Sequence, residues 1–397
     1  MFFMGSNMQH LMTTYNRLPL AFARGEGVWL EDIEGKKYLD AISGIAVCGL
    51  GHCHPEISKA ICIQSSTLMH TSNLYEIPLQ NRLADRIAKL TGMDKVFFAN
   101  SGAEANEAAI KIARLYGHKK GIDTPSILVC EGSFHGRTMA TLSATGNRKV
   151  RAGFEPLLRG FSRIPFNDLD AVRHAATNDQ NVVAILVEPV QGEGGIKIPD
   201  EGYLAALREI CDDNGWLLML DEIQTGLCRS GKWFAHQHAG IVPDVMTLAK
   251  ALGNGLPVGA CVVNNAASHV FGPGNHGSTF GGNPLASAAA LSVLDVLDRD
   301  NLAERASQSG ALLIKLLTDA LADKPGVKAV RGVGLLLAIE LDNPCGELVM
   351  KAADKGLLIN VTADTVIRLL PPLVASDSEI REMAARLIPL VEEFLNA

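Results

Sequence analysis

None of the eight cysteines in this 397-residue chain forms a Cys-x-x-Cys pair, and several lie inside apolar or helical stretches. They read as reduced structural thiols of a cytosolic protein. No apolar run approaches the roughly 20 residues of a membrane span. Net charge is −7 and there is no long basic run, which argues against nucleic acid or an anionic membrane as the main partner. No G-x-x-x-x-G-K-[ST] stretch occurs, and no glycine-rich stretch opens a helix with a full dinucleotide fingerprint. Gly51-His52-Cys53-His54-Pro55 and His236-Gln237-His238 lack a further spaced ligand, so no metal site is expected from them. Internal repeats and low-complexity linkers are also missing. Met1-Phe2-Phe3-Met4 runs into Gly, Ser, Asn and Gln without a basic region or a sustained apolar stretch, which suggests a loose leader before about His10, or an alternative start, instead of a signal peptide.

What the chain does have is the composition of a globular catalytic subunit, 47% hydrophobic and 20% charged. Its length suits a large α/β domain with a smaller companion. Residues 25–40 alternate as strand and turn. Helical spacing at Leu83, Ile87 and Leu90 then leads into the strand Val96–Phe98, a helix from Glu104 to Tyr116, and strands at Ile127–Val129 and Val182–Val187. Strands alternating with helices imply crossover units and a largely parallel sheet covered on both faces. From about 290 long amphipathic helices and short strands (334–339, 366–369) take over. The expected division is a large domain over 51–289 and a smaller α+β domain from 1–50 with 290–397.

Two strand ends carry the chemistry. Trp216-Leu217-Leu218-Met219-Leu220 ends in Asp221, and the apolar segment before Lys250 delivers that lysine into a turn containing Gly253 and Gly255. A lysine able to form a Schiff base and an acid for a pyridinium nitrogen are the protein groups that pyridoxal phosphate needs. Taken singly, Lys250 could be a surface lysine and Asp221 an N-cap; their pairing favours the cofactor. Ser101, Gly102 and Ala103 offer small side chains and free N–H groups at a helix N-terminus, which makes a phosphate seat. The alternative is an N-cap in which Ser101 closes a capping box with Glu104. Phe134 is placed to stack on a flat ring unless it belongs to the core. Arg137 can fork onto a carboxylate, and Arg368, set among apolar residues, is either a second carboxylate anchor or half of a structural ion pair.

With those residues in hand the chain resembles the class III aminotransferases, the ω-amino acid group of the fold-type I pyridoxal-phosphate enzymes. The likeness runs from about Tyr15 to the C-terminus through Asn100–Glu107, Phe134–Arg137, Glu188–Gly195, Asp221–Gly226, Lys250–Gly253 and His276–Pro284. It implies one pyridoxal 5'-phosphate per subunit, linked to Lys250 as a Schiff base. The phosphate would lie on Ser101, Gly102 and Ala103, the ring between Phe134 and Ile223, and its hydroxyl on Gln224, with Glu188 and Glu222 beside it. Thr279 would reach the phosphate of a neighbouring subunit, which implies a homodimer with shared sites. Within the group, Gly51–Pro55, Thr71–Tyr75 and Pro165–Leu169 are most similar to the members that act on N-acetylornithine. That likeness implies amino-acid and 2-oxo-acid substrates. Arg137 and Ser278 would hold the carboxylate end of the amine, and Arg368 the α-carboxylate of glutamate or 2-oxoglutarate, with Glu193 pairing with Arg368 otherwise. Succinylated analogues are further implied substrates. Ornithine, for which Tyr15 would supply an aromatic contact, and 4-aminobutyrate remain alternatives, as does an aminomutase acting within one molecule. Asn254 and Cys228 depart from the glycines usual at their positions.

Overall fold

The computed structural model describes residues 10–397, so the expected leader lies outside the described residues. A seven-stranded sheet forms the centre, in the order Lys95–Ala99, Gly259–Val263, Val245–Leu248, Leu217–Asp221, Val182–Val187, Ser126–Cys130, Phe161–Ile164. Val182–Val187, Leu217–Asp221 and Val245–Leu248 are buried along their whole length, as near-continuous apolar runs require when helices cover both faces. Pairing is parallel except at Gly259–Val263, which runs antiparallel to both of its neighbours. The short 249–258 connection leading to that strand cannot hold a crossover helix, so the chain turns back.

The helix Gly102–Lys119 lies against this sheet through Ala108, Ala109, Ile112 and Ala113. Tyr203–Asn214 covers the other face through Leu204, Leu207 and Cys211. Each fully buried Leu, Ile or Val here contributes roughly 1.5–3 kcal/mol from leaving water.

The chain ends build two smaller sheets. Phe22–Glu26, Trp29–Asp32 and Lys37–Asp40 are joined by Leu357–Leu358, while Val327–Val333, Leu336–Leu341, Val366–Leu369 and Asn360–Thr362 form the other. Helices Leu302–Leu321 and Asp377–Leu395 pack beside them. The strand expected at 334–339 sits two residues later, because Gly334 adopts φ 55° and forms the turn before it. The helix Pro284–Arg299 runs unbroken through position 289.

Candidate active site

Open α/β sheets place ligands beyond the carboxyl ends of their parallel strands. A cavity of about 460 Å³ opens there, lined among others by Ser101, Gly102, Ala103, Phe134, Arg137, Glu188, Glu193, Asp221, Ile223, Gln224 and Lys250.

Asp221 ends its strand almost fully buried. Its Oδ2 accepts from Asn106 Nδ2 and from His135 Nδ1, each at 2.8 Å, and its Oδ1 accepts from the Ile223 N–H at 3.1 Å. Asn106 is fixed in turn: its Oδ1 accepts from Thr247 Oγ1 at 2.8 Å, and its amide also donates to the His135 carbonyl. The carboxylate therefore cannot rotate without breaking a buried network.

Lys250 follows Val245–Leu248 with φ 44°, in the left-handed region that costs an ordinary side chain of order 1–3 kcal/mol. Asn254, also at φ 45°, helps hold this turn: its Oδ1 accepts from Leu50 N at 2.8 Å and its Nδ2 donates to the Gly51 carbonyl at 3.1 Å. The asparagine thus keeps the backbone a glycine would adopt and adds two bonds. Cys228 likewise keeps a left-handed backbone, φ 71°, while buried. Burial, with the Arg368 charge adding to it, pushes the Lys250 amine down to about 8 from its ordinary value near 10.5.

Ser101 caps Gly102–Lys119, its Oγ accepting from Glu104 N at 3.2 Å. The carboxylate of Glu104 reaches Asn100 instead of Ser101, accepting from its N–H at 2.7 Å and its side-chain amide at 2.8 Å. A Cβ on Gly102 would lie 2.7 Å from Ile223 Cδ1, so a larger residue there would have to push the Ile223 side chain aside.

Glu188 is buried and accepts from Phe134 N at 2.9 Å and Gly192 N at 3.0 Å. Desolvation raises its pKa to about 7. Arg137 is exposed, its guanidinium carbon 5.6 Å from the Phe134 ring centre. Arg368, 1% exposed, pairs through Nη1 with Glu193 Oε1 at 2.6 Å. Asn360 holds the other side of that guanidinium, its Oδ1 accepting from Nη2 at 2.7 Å and Nε at 3.1 Å.

Some expected residues lie elsewhere. Glu222 turns away from the cavity: its carboxylate is consumed by the N–H groups of Ala235 and His236, the His236 ring and Thr225 Oγ1. Alternation along the chain sends it behind Asp221. Tyr15 is 73% exposed and is not among the lining residues. Ser278 accepts from Asn100 Nδ2 and Gly281 N, and Thr279 is exposed; neither lines this chain's cavity. His52 pairs with Asp40 at 2.8 Å, and that hydrogen bond pushes its pKa up to about 10. Asn106 and Asn360 escaped the sequence reading. A polar residue among helical alanines is the only local sign of the first; the second emerges only from the hairpin register that sets Asn360 opposite Arg368.

The aminotransferase class-III family profile matches residues 12–391. This chain is a class-III aminotransferase. It is 56% identical over 390 residues to the acetylornithine aminotransferase of Nitrosomonas europaea, covering 98% of this chain and 99% of that one. It is 52% identical to acetylornithine aminotransferase 1 of Bordetella parapertussis, covering 97% and 98%. Among solved structures, an ornithine aminotransferase from Toxoplasma gondii with pyridoxal phosphate at partial occupancy in its active site superposes with a TM-score of 0.94 at 38% identity, covering 98% and 94%. The acetylornithine aminotransferase of Elizabethkingia anophelis superposes at 0.87 with 37% identity, covering 97% of each chain.

This aminotransferase also has a cavity suited to the cofactor. Gln224 Oε1 is buried in its wall without a hydrogen-bond partner among the described residues. The Cβ-free cradle at Gly102, the buried carboxylate of Asp221 and the depressed amine of Lys250 supply the donor set that a phosphorylated pyridine aldehyde calls for.

Proposed function

We propose that this aminotransferase moves the terminal amino group of N-acetylornithine to 2-oxoglutarate, a step of arginine biosynthesis, using pyridoxal phosphate held as a Schiff base on Lys250. The observation that carries the substrate reading is the 56% identity, across 98% of the chain, to an acetylornithine aminotransferase. N-succinyl-diaminopimelate and succinylornithine belong to the same reading, as amines that differ from N-acetylornithine mainly in the acyl group and backbone length.

The N–H groups at Ser101, Gly102 and Ala103 would take the phosphate, Phe134 and Ile223 the ring faces, Gln224 the ring hydroxyl and Asp221 the ring nitrogen. When bound, the cofactor accepts the electron pair released as the substrate C–H bond breaks. Lys250 moves the proton: with its pKa lowered to about 8, a useful fraction of its Nζ is unprotonated near neutral pH and would take the proton from the substrate carbon and pass it on to the cofactor side. Asn106 and His135 keep Asp221 aimed throughout. Arg368 receives the α-carboxylate of 2-oxoglutarate, and Glu193 closes on it when the amine brings no carboxylate there. Arg137, which lines the cavity, holds the carboxylate end of acetylornithine, and Ser278, which does not line this chain's cavity, would join it from a second copy.

The working unit is a cytoplasmic homodimer whose Thr279 reaches the phosphate held by a second copy. Met69, Leu74, Tyr75 and Phe280, all more than half exposed, surround that segment and suit burial by a second copy. Its large domain would span about 51–289 and its small one the described chain ends, residues 10–50 and 290–397, with the helix Pro284–Arg299 running across the boundary.

Absorbance of the loaded protein tests the reading. The Schiff-base band should bleach with low concentrations of N-acetylornithine and return with 2-oxoglutarate. Superposition on ornithine aminotransferases makes free ornithine the second candidate amine. Faster bleaching by ornithine or 4-aminobutyrate would overturn the substrate choice, turnover of glutamate-1-semialdehyde without an oxo acid would indicate an aminomutase, and no band at all would remove the cofactor.

A further inference from the structure

We infer that Asn360 is the positioning residue that lets Glu193 leave Arg368 while the guanidinium stays in place, so that it sets affinity for the 2-oxo acid and not for the acylated amine. The inference rests on the proposed role of Arg368.

The two partners of Arg368 differ in kind. Glu193 is 32% exposed in its side chain and bears a charge; Asn360 is neutral and occupies the adjacent strand, paired in register with Arg368. One Asn360 oxygen accepts from both Nη2 and Nε, so it fixes the plane of the guanidinium and leaves its positive charge uncancelled. Among the described residues the Glu193 carboxylate is the one paired with it, and that group is the one a substrate carboxylate would have to replace.

The backbone around Glu193 cannot follow its side chain. Thr362, two residues along the same strand as Asn360, donates to the Glu193 carbonyl at 2.5 Å. Glu188 holds the Gly192 N–H, and Arg331 donates to the carbonyls of Gly195 and Ile196 at 2.5 and 2.8 Å. Strand Asn360–Thr362 therefore pins the guanidinium with one residue and the opposing backbone with another. What remains free is rotation of the Glu193 side chain.

The test compares wild type with Asn360→Leu and the near-isosteric Asn360→Asp. Binding of glutarate, a dicarboxylate that does not react, is followed by calorimetry, and the two half-reactions are followed separately in stopped flow on the loaded enzyme. Asn360→Leu should weaken glutarate and 2-oxoglutarate by about tenfold or more, the scale for leaving buried charged donors unpaired, while acetylornithine shifts less than about threefold. Asn360→Asp, which adds a fixed carboxylate, should weaken the dicarboxylates further while retaining the fold. Equal losses for both substrate classes, or no loss of dicarboxylate binding in either variant, would overturn the inference. Arg368→Ala separates the two ideas. If it spares 2-oxoglutarate, the proposed role of Arg368 fails; if it abolishes binding while both Asn360 variants bind normally, only the role of Asn360 fails.

Discussion

The two ends of the cavity hold charge in opposite ways. At the Asp221 end a carboxylate is met by fixed donors of the protein: Asn106, His135 and the Ile223 N–H, themselves tied to Thr247 and to the backbone. At the Arg368 end two opposite charges meet each other, one deeply buried and one partly exposed. A buried charge without its partner is costly, so the first arrangement is held by the protein alone, and under the proposed function the second would change partner when a ligand brings a carboxylate. A transaminase that must accept two unlike substrates on one cofactor needs both, a constant end for the shared chemistry and an adaptable end for the substrates.

The comparison can be broken most severely at the constant end. Lys250→Ala should lower kcat by at least about four orders of magnitude, since the group proposed to move the proton is gone, measured by single-turnover amine consumption. Asp221→Asn should cost about ten-thousandfold in kcat with the cofactor retained, a loss on the scale seen when an orienting carboxylate is made neutral. If that variant instead releases the cofactor, Asp221 is an anchor and the end is not electrostatically tuned. At the adaptable end, Glu193→Gln should leave Arg368 without its anionic partner and tighten 2-oxoglutarate by about tenfold, seen in the oxo-acid half-reaction. An unaltered dissociation constant would mean that the pair does not open.

The smallest effect is on stability. The folded pKa of Lys250 is lowered to about 8 while the unfolded value lies near 10.5. Between those values the unfolded chain binds more protons, so stability rises with pH across that window and the penalty is fully present below it. The cofactor-free Lys250→Met variant should therefore exceed wild type by about 2–3 kcal/mol at pH 7 in urea unfolding, with the gap closing toward pH 10.5. A constant gap would place the amine in solvent and remove its role as a poised base.

Much of this was legible before the fold was known. Val182–Val187 and Val366–Leu369 occur where their apolar runs end, and the helix expected from Glu104 begins at Gly102. Lys250 and Asp221 declared themselves because each follows an apolar strand, and parallel strands deliver such residues to one edge of a sheet. Glu222 did not, because adjacent residues leave a strand end on opposite sides and the chain itself does not say which one meets the cavity. Ser101 combined readings that had stood as alternatives: it is an N-cap, yet it also lines the cavity beside Gly102 and Ala103.

The order of apolar and polar residues by itself determined the alternating strands and helices, the two strand ends bearing Asp221 and Lys250, and the glycines where backbones must approach. Those are local properties, set by side-chain periodicity and by the conformations each residue type tolerates. Only the tertiary structure decided that Asn106 and His135 would fix Asp221 and that Asn360 would stand opposite Arg368, beside the Glu193 pair that the family resemblance had implied. Each of those contacts joins residues distant in the chain or set by hairpin register, and its geometry depends on how the strands pack and pair.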